Sequence, residues 1–198
     1  MNNVVCLSFA PTTLPVLAGK VVTVGPFEGA DIQADLRFRL PFDDESVDTL
    51  VVRFVLNRLS YHHVGSYLAD YTRVLVPGGE LFMTVPDLDF AIDSYLSLPA
   101  PQCFDIWHEL IYGPDSTGMA AYNFNWFAPQ FDWIGLAQLI LLERDNGRLD
   151  MVARKRLDYK EAPLFIVGNG NYNQLPANME EALVLFPDGK GFGFPPLE

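Results

Sequence analysis

Short, β-branched apolar runs alternate along this chain with segments whose apolar residues recur every three or four positions, and that change of period predicts strands alternating with helices. "NVVCLSFA" (3–10), "KVVTVG" (20–25), the shorter "ADIQADL" (30–36), "VDTLVVRFVL" (47–56) and "GELFMTV" (79–85) read as strands. Continuous apolar strands of this kind belong in a sheet covered on both faces. Between the last two, Val64, Tyr67, Leu68, Tyr71, Val74 and Leu75 form one apolar helical stripe within 61–76. Pro77-Gly78-Gly79 then ends the helix and turns the chain, because proline cannot continue a helix and glycine takes the left-handed cap without strain. Strand, helix and strand in this order make a parallel crossover unit.

Past Asp87 the pattern changes. Residues 89–98 and 102–113 read as helices divided by Pro99 and Pro101, 116–130 as an aromatic, glycine-bearing loop, and 131–145 as a helix with Asp132 as its N-cap. The alternation in 147–157 predicts an edge strand, and "APLFIVG" (162–168) one more strand. From Asn169 the density of Gly, Asn and Pro predicts loop. The chain thus divides into an α/β domain over 1–168 and an irregular C-terminal extension over 169–198.

A length of 198 residues suits one domain with a real core. The net charge of −12, from 25 acidic against 13 basic residues without a Lys/Arg run, disfavours a nucleic-acid partner, since that affinity comes largely from cationic contacts to phosphate. Cys6 and Cys103 lie far apart in apolar segments and read as free buried thiols of a reducing compartment. "MNNVVCLSFAP" lacks the basic start of a signal peptide, and no stretch approaches the roughly 20 apolar residues of a membrane helix. The expectation is a cytoplasmic protein without a membrane partner.

"ADLRFRLPFDDESVDTLVVRFVLNRL" followed by "RVLVPGGELFMTVPD" resembles the class I S-adenosylmethionine-dependent methyltransferases, and more narrowly their short bacterial and phage-type branch. The likeness is strongest over 30–90 and extends loosely over 3–157. It implies a Rossmann-like, doubly wound, mostly parallel sheet with helices on both faces. It also implies S-adenosylmethionine as cofactor, held outside the carboxyl ends of the strands where the strand order reverses. The resemblance sets Asp35 and Leu36 beside the adenine, with Pro41 and Phe42 shaping the floor of that pocket. Asp35 reads equally well as an ordinary loop acid, and Phe42 as core.

The chain departs from the family in three places on the ligand-facing rim. Ser8, Phe9 and Ala10 stand after the first strand, where the family has Gly-x-Gly to let the backbone approach the cofactor. Thr23 and Val24 stand at the end of the second strand, where the family has an acid that grips the ribose hydroxyls. Phe54-Val55-Leu56-Asn57-Arg58 fills the frame in which the short branch reads His-x-Leu-Glu-His. The cofactor positions to examine are therefore Ser8, Phe9, Thr23, Val24, Asp35, Leu36 and Phe54.

Few other groups offer chemistry. His62 and His63 open the helix after the fourth strand, and one of them facing the rim would suit a general base; an exposed helix start explains both. His108 has no second ligand at i+4, which weakens a metal reading. Asp87 is either a substrate contact or the capping acid of the next helix. In "YNFNWF" (122–127), Tyr122, Asn125 and Trp126 suit a small planar or sugar-like ligand, while a lid packed on the core or an oligomer contact explains them structurally. Two functions follow: a methyltransferase acting on a small molecule or sugar with impaired cofactor binding, or an inactive methyltransferase-like fold serving as a binding or assembly module for a protein partner or a second copy.

Overall fold

A computed structural model describes residues 3–11, 20–60, 63–97, 120–145 and 147–158, with isolated positions at 99, 102, 166–167, 170–171, 177–178 and 180. Its centre is one seven-stranded sheet: β1 (Asn3–Leu7), β2 (Lys20–Gly25), β3 (Ile32–Gln33), β4 (Val47–Arg53), β5 (Leu75–Pro86), β6 (Leu136–Asp145) and β7 (Arg148–Lys155). Their spatial order is β3-β2-β1-β4-β5-β7-β6. The first five strands run parallel, and β7 lies antiparallel between β5 and β6. This is a Rossmann-like α/β sheet, as the resemblance implies.

Strand periodicity sorts the side chains. Val5, Leu7, Leu50, Val52, Leu81, Met83 and Val85 join the main core on one face, whereas Val4, Cys6 and Val51 form a smaller cluster on the other. Helix α1 (Val64–Val74) lays Tyr67, Leu68, Tyr71 and Val74 into the main core, in the stripe its spacing predicts. Helix α2 (Leu88–Ser97) follows β5 directly, and α3 (Phe124–Trp133) adds Phe127 and Phe131 to the same core. Burial pushes the Cys6 thiol up to about 11 against a smaller opposing pull from Arg53, so this cysteine is packing rather than a nucleophile.

Four expectations are corrected. Pro77-Gly78-Gly79 is not the turn before a strand but an irregularity inside β5, where the pairing jumps from Val47–Leu75 to Thr49–Glu80. Gly78 adopts φ +81°, and a Cβ on Gly79 would lie 2.9 Å from the Val76 carbonyl oxygen and 3.0 Å from that of Asp48. The aromatic segment expected as loop forms α3, capped by the Asn123 side chain accepting from the Asn125 N–H at 2.8 Å. The segment 131–145 is not one helix: α3 stops at Trp133, Gly135 takes φ +80°, and β6 follows. An apolar run of that length satisfies either period, and pairing with β7 decides it by supplying a ladder. Consequently β7 is interior and β6 is the edge strand.

Ile166–Val167 pairs antiparallel with Gly170–Asn171, inside the strand expected over 162–168 and just beyond it. The helix expected at 102–113, most of the first connection, His62, His108, Cys103 and nearly all of the C-terminal extension lie outside the described residues. Among the described residues no helix is long and apolar enough to cross a membrane.

Candidate functional site

From β1 the chain winds outward to β2 and β3, then returns to β4 on the other side of β1. Such a reversal opens a crevice at the carboxyl ends of the two strands it separates, here β1 and β4. The residues that follow those strands form its walls.

On the β1 side, Ser8 is buried, with its N–H on the Val24 carbonyl at 3.1 Å and its hydroxyl on the Ala10 carbonyl at 2.6 Å. Phe9 is half-buried, and on the β4 side Arg58 stacks its guanidinium over the Phe9 ring, 5.7 Å from the centroid. Cation and ring thus meet across the crevice. Phe54, at the end of β4, takes φ +51°, a conformation that bulky side chains rarely adopt, while its N–H donates to the Thr84 carbonyl at 2.9 Å. In the next turn, Asn57 is buried and its Oδ1 has no hydrogen-bond partner.

The end of β2 carries no carboxylate. Thr23 turns to the first residue before β3, giving its N–H and hydroxyl to Asp31 Oδ2, each at 2.8 Å. Val24 lies wholly within the core. The strand's last residue is Gly25, and a Cβ there would sit 2.0 Å from the Ser8 carbonyl oxygen, so no side chain fits at that position.

Asp35 is engaged as well. Both of its oxygens accept from Arg37, Nε at 2.9 Å and Nη2 at 2.5 Å, and this hydrogen bonding holds the Arg37 guanidinium above its ordinary range. Leu36 is buried core. The loop beyond it is anchored from α1: Arg73 donates to the Leu40 and Phe42 carbonyls at 3.1 and 2.8 Å, to Asp44 at 2.7 Å and to Asp70 at 2.7 Å. Asp70 in turn accepts from the Leu40 N–H at 2.8 Å. Burial raises the Asp70 carboxyl above its usual range despite the opposing pull of Arg73.

At the end of β5, Asp87 is fully buried, caps α2 through the Asp89 N–H at 3.0 Å, and forms a two-pronged ion pair with Arg144 of β6. Its carboxylate is thus engaged by the α2 cap and by Arg144. Arg144 also reaches Asp89 at 2.7 Å, and Asn123 donates to Asp89; these bonds hold the Asp89 carboxyl below its ordinary range. Tyr122 is likewise spoken for: its backbone bridges Asp87, its ring packs on Trp126 and Phe127, and its hydroxyl donates to the Leu56 carbonyl at 3.2 Å. Asn125 is exposed and Trp126 half-buried against Phe127. His63 is buried at the start of α1.

The structure thus brings Ser8, Phe9, Phe54 and Arg58 to one crevice and turns Val24, Leu36 and Tyr122 into core. Sequence reasoning missed three groups. Arg73 lies within a quoted motif, so its position was visible although its anchoring role was not. Arg58 was noted only as a substitution, and Arg144 was hidden in a segment of mistaken period. Among the described residues no group of three metal-ligating side chains occurs.

Strand order and crevice together define a fold of the class I methyltransferase type. Residues 1–83 match the methyltransferase domain family, so the resemblance to the S-adenosylmethionine-dependent enzymes holds over that part of the chain. Solved structures agree on the fold. A Bordetella parapertussis protein described as a possible exported protein shares 13% identity at a TM-score of 0.55, over 78% of this chain and 62% of its own. A chain of the Haloferax volcanii complex between the Trm112 methyltransferase activator and its methyltransferase shares 15% at 0.54, over 81% and 84%. A Thermotoga maritima S-adenosylmethionine-dependent methyltransferase shares 13% at 0.53, over 79% and 83%. At such identities the likeness speaks for the fold alone. No curated protein matches the chain.

Among the described residues, the crevice offers S-adenosylmethionine few of the groups the resemblance implies. The last residue of β2, Gly25, has no room for a side chain, and the Phe9 ring and Arg58 guanidinium meet between the ends of β1 and β4.

Proposed function

We propose that the chain is a methyltransferase-type domain with a weakened hold on S-adenosylmethionine, acting on a small molecule or sugar. The observation that carries this reading is the match of residues 1–83 to the methyltransferase domain, folded into a sheet whose crevice opens between β1 and β4. A lost buried polar partner costs about 1–3 kcal/mol, or roughly ten- to a hundredfold in affinity, which is the weakening expected from a β2 that ends without an acid. Asn125 and Trp126 remain the acceptor-facing candidates, and the acidic surface argues for a neutral or cationic acceptor.

Calorimetric titration with S-adenosylmethionine and S-adenosylhomocysteine tests it. Saturable binding supports the enzyme reading. Absence of heat and of thermal stabilisation at millimolar ligand, in the parent and also in a variant with the Phe9 side chain removed, refutes it, since a ligand of the folded state must stabilise that state. The closed crevice favours a second reading, an inactive fold that assembles with a protein. The Haloferax chain in complex with the Trm112 activator supports this by analogy of fold.

A further inference from the structure

The closure of the crevice has a specific agent. We propose that Phe9 and Arg58 form a gate across the β1–β4 crevice, and that ligand enters when the Phe9 ring leaves the Arg58 guanidinium. This rests on the methyltransferase reading and adds a conformational control to it.

Four observations converge on the gate. Phe9 follows β1 and Arg58 follows β4, the two strands the reversal in strand order separates, so their contact spans the crevice from wall to wall. Ser8 is pinned by its N–H to Val24 and by its hydroxyl to Ala10, which fixes the point from which Phe9 projects. Phe54, between β4 and the Arg58 turn, is held at φ +51° in a region where bulky residues are strained, and such strain persists where the surroundings over-determine it. Asn57, next to Arg58, keeps a buried Oδ1 without a donor.

An unpaired buried acceptor and a strained backbone both disfavour the closed arrangement, while the ring–cation contact and the apolar packing of Phe9 favour it. A gate needs such opposing contributions, so that a ligand can shift the population from one arrangement to the other. Once the ring swings out, an N–H or O–H donor on the ligand can reach the region of Asn57 and satisfy the orphan oxygen. The closed form lowers apparent affinity by the fraction of molecules that are open.

The test compares the full-length chain with Phe9→Ala and Arg58→Gln, titrated with S-adenosylhomocysteine by calorimetry, with amide hydrogen exchange of residues 7–10 and 54–59 followed alongside. Both variants should bind about tenfold tighter or more, and exchange in these two segments of the parent should slow on adding ligand. Thermal melting confirms that each variant folds; Arg58→Gln, which leaves the core intact, serves if Phe9→Ala does not. Equal micromolar binding by parent and variants would overturn the gate and leave the methyltransferase reading standing. No binding by either variant at millimolar ligand would overturn both.

Discussion

Replacing Arg73 by methionine should cost the protein a large share of its stability, and the structure allows the size to be worked out. The guanidinium makes four kinds of contact at 2.7 to 3.1 Å, to Asp70, Asp44 and the Leu40 and Phe42 carbonyls. Its side chain is 17% exposed and that of Asp70 only 6%, so solvent cannot replace it at Asp70. Removing one partner of a buried pair costs about 3–5 kcal/mol, and the lower end applies because the Leu40 N–H still reaches Asp70 and Asp44 is exposed. About 3 kcal/mol is a large share of a typical stability and corresponds to roughly 6–12 °C in melting temperature for a chain of this size. The sign of the pH dependence is a second check. In the variant the uncompensated Asp70 charge drives its pKa further up, so the destabilisation should shrink as pH falls and the carboxyl protonates. Urea unfolding of parent, Arg73→Met, Asp70→Asn and the double variant at neutral pH and near about pH 4 measures both quantities. A loss below about 1 kcal/mol, or one that does not change with pH, would refute the buried-anchor account.

Other outcomes are expected. Arg144→Met leaves Asp87 buried with little beyond the α2 cap, and about 2 kcal/mol should be lost in chemical unfolding, discounted because Arg144 is 44% exposed. Asp89, held below its ordinary range by Arg144 and Asn123, contributes stability that is present above the unfolded carboxylate pKa and lost as pH falls through the folded value. Asp89→Asn should therefore flatten the acid side of the stability profile, and an unchanged profile would discard its role. Gly79→Ala forces a methyl against two backbone carbonyls and should destabilise by about 1–3 kcal/mol, measured by melting; a neutral result would mean the β5 irregularity yields freely.

Much of the sheet was legible from the sequence because its strands are local and apolar. β1, β2, β4 and the later part of β5 lie where the β-branched runs predicted them, and α1 carries the predicted stripe. The region beyond Asp87 was not legible in the same way. "FDWIGLAQLILLERD" reads as helix from its own residues, yet Gly135 and the ladder of β7 make most of it strand, and that in turn moved β7 from the edge to the interior. A long apolar run carries no period of its own, so partners distant in sequence choose for it.

The site shows the same division. Residues alone set Ser8-Phe9-Ala10, Thr23-Val24 and residues 54–58 at the places where the resemblance leads one to expect Gly-x-Gly, a ribose acid and a histidine frame. Only the tertiary structure decided what surrounds those positions. Whether Asp87 and Tyr122 are free groups or spent ones depends on Arg144 and Leu56, 57 and 66 positions away. Likewise Phe9 and Arg58 come into contact only when β1 and β4 are laid side by side. Chemistry at a position is local, whereas availability is a property of the neighbours that folding brings to it.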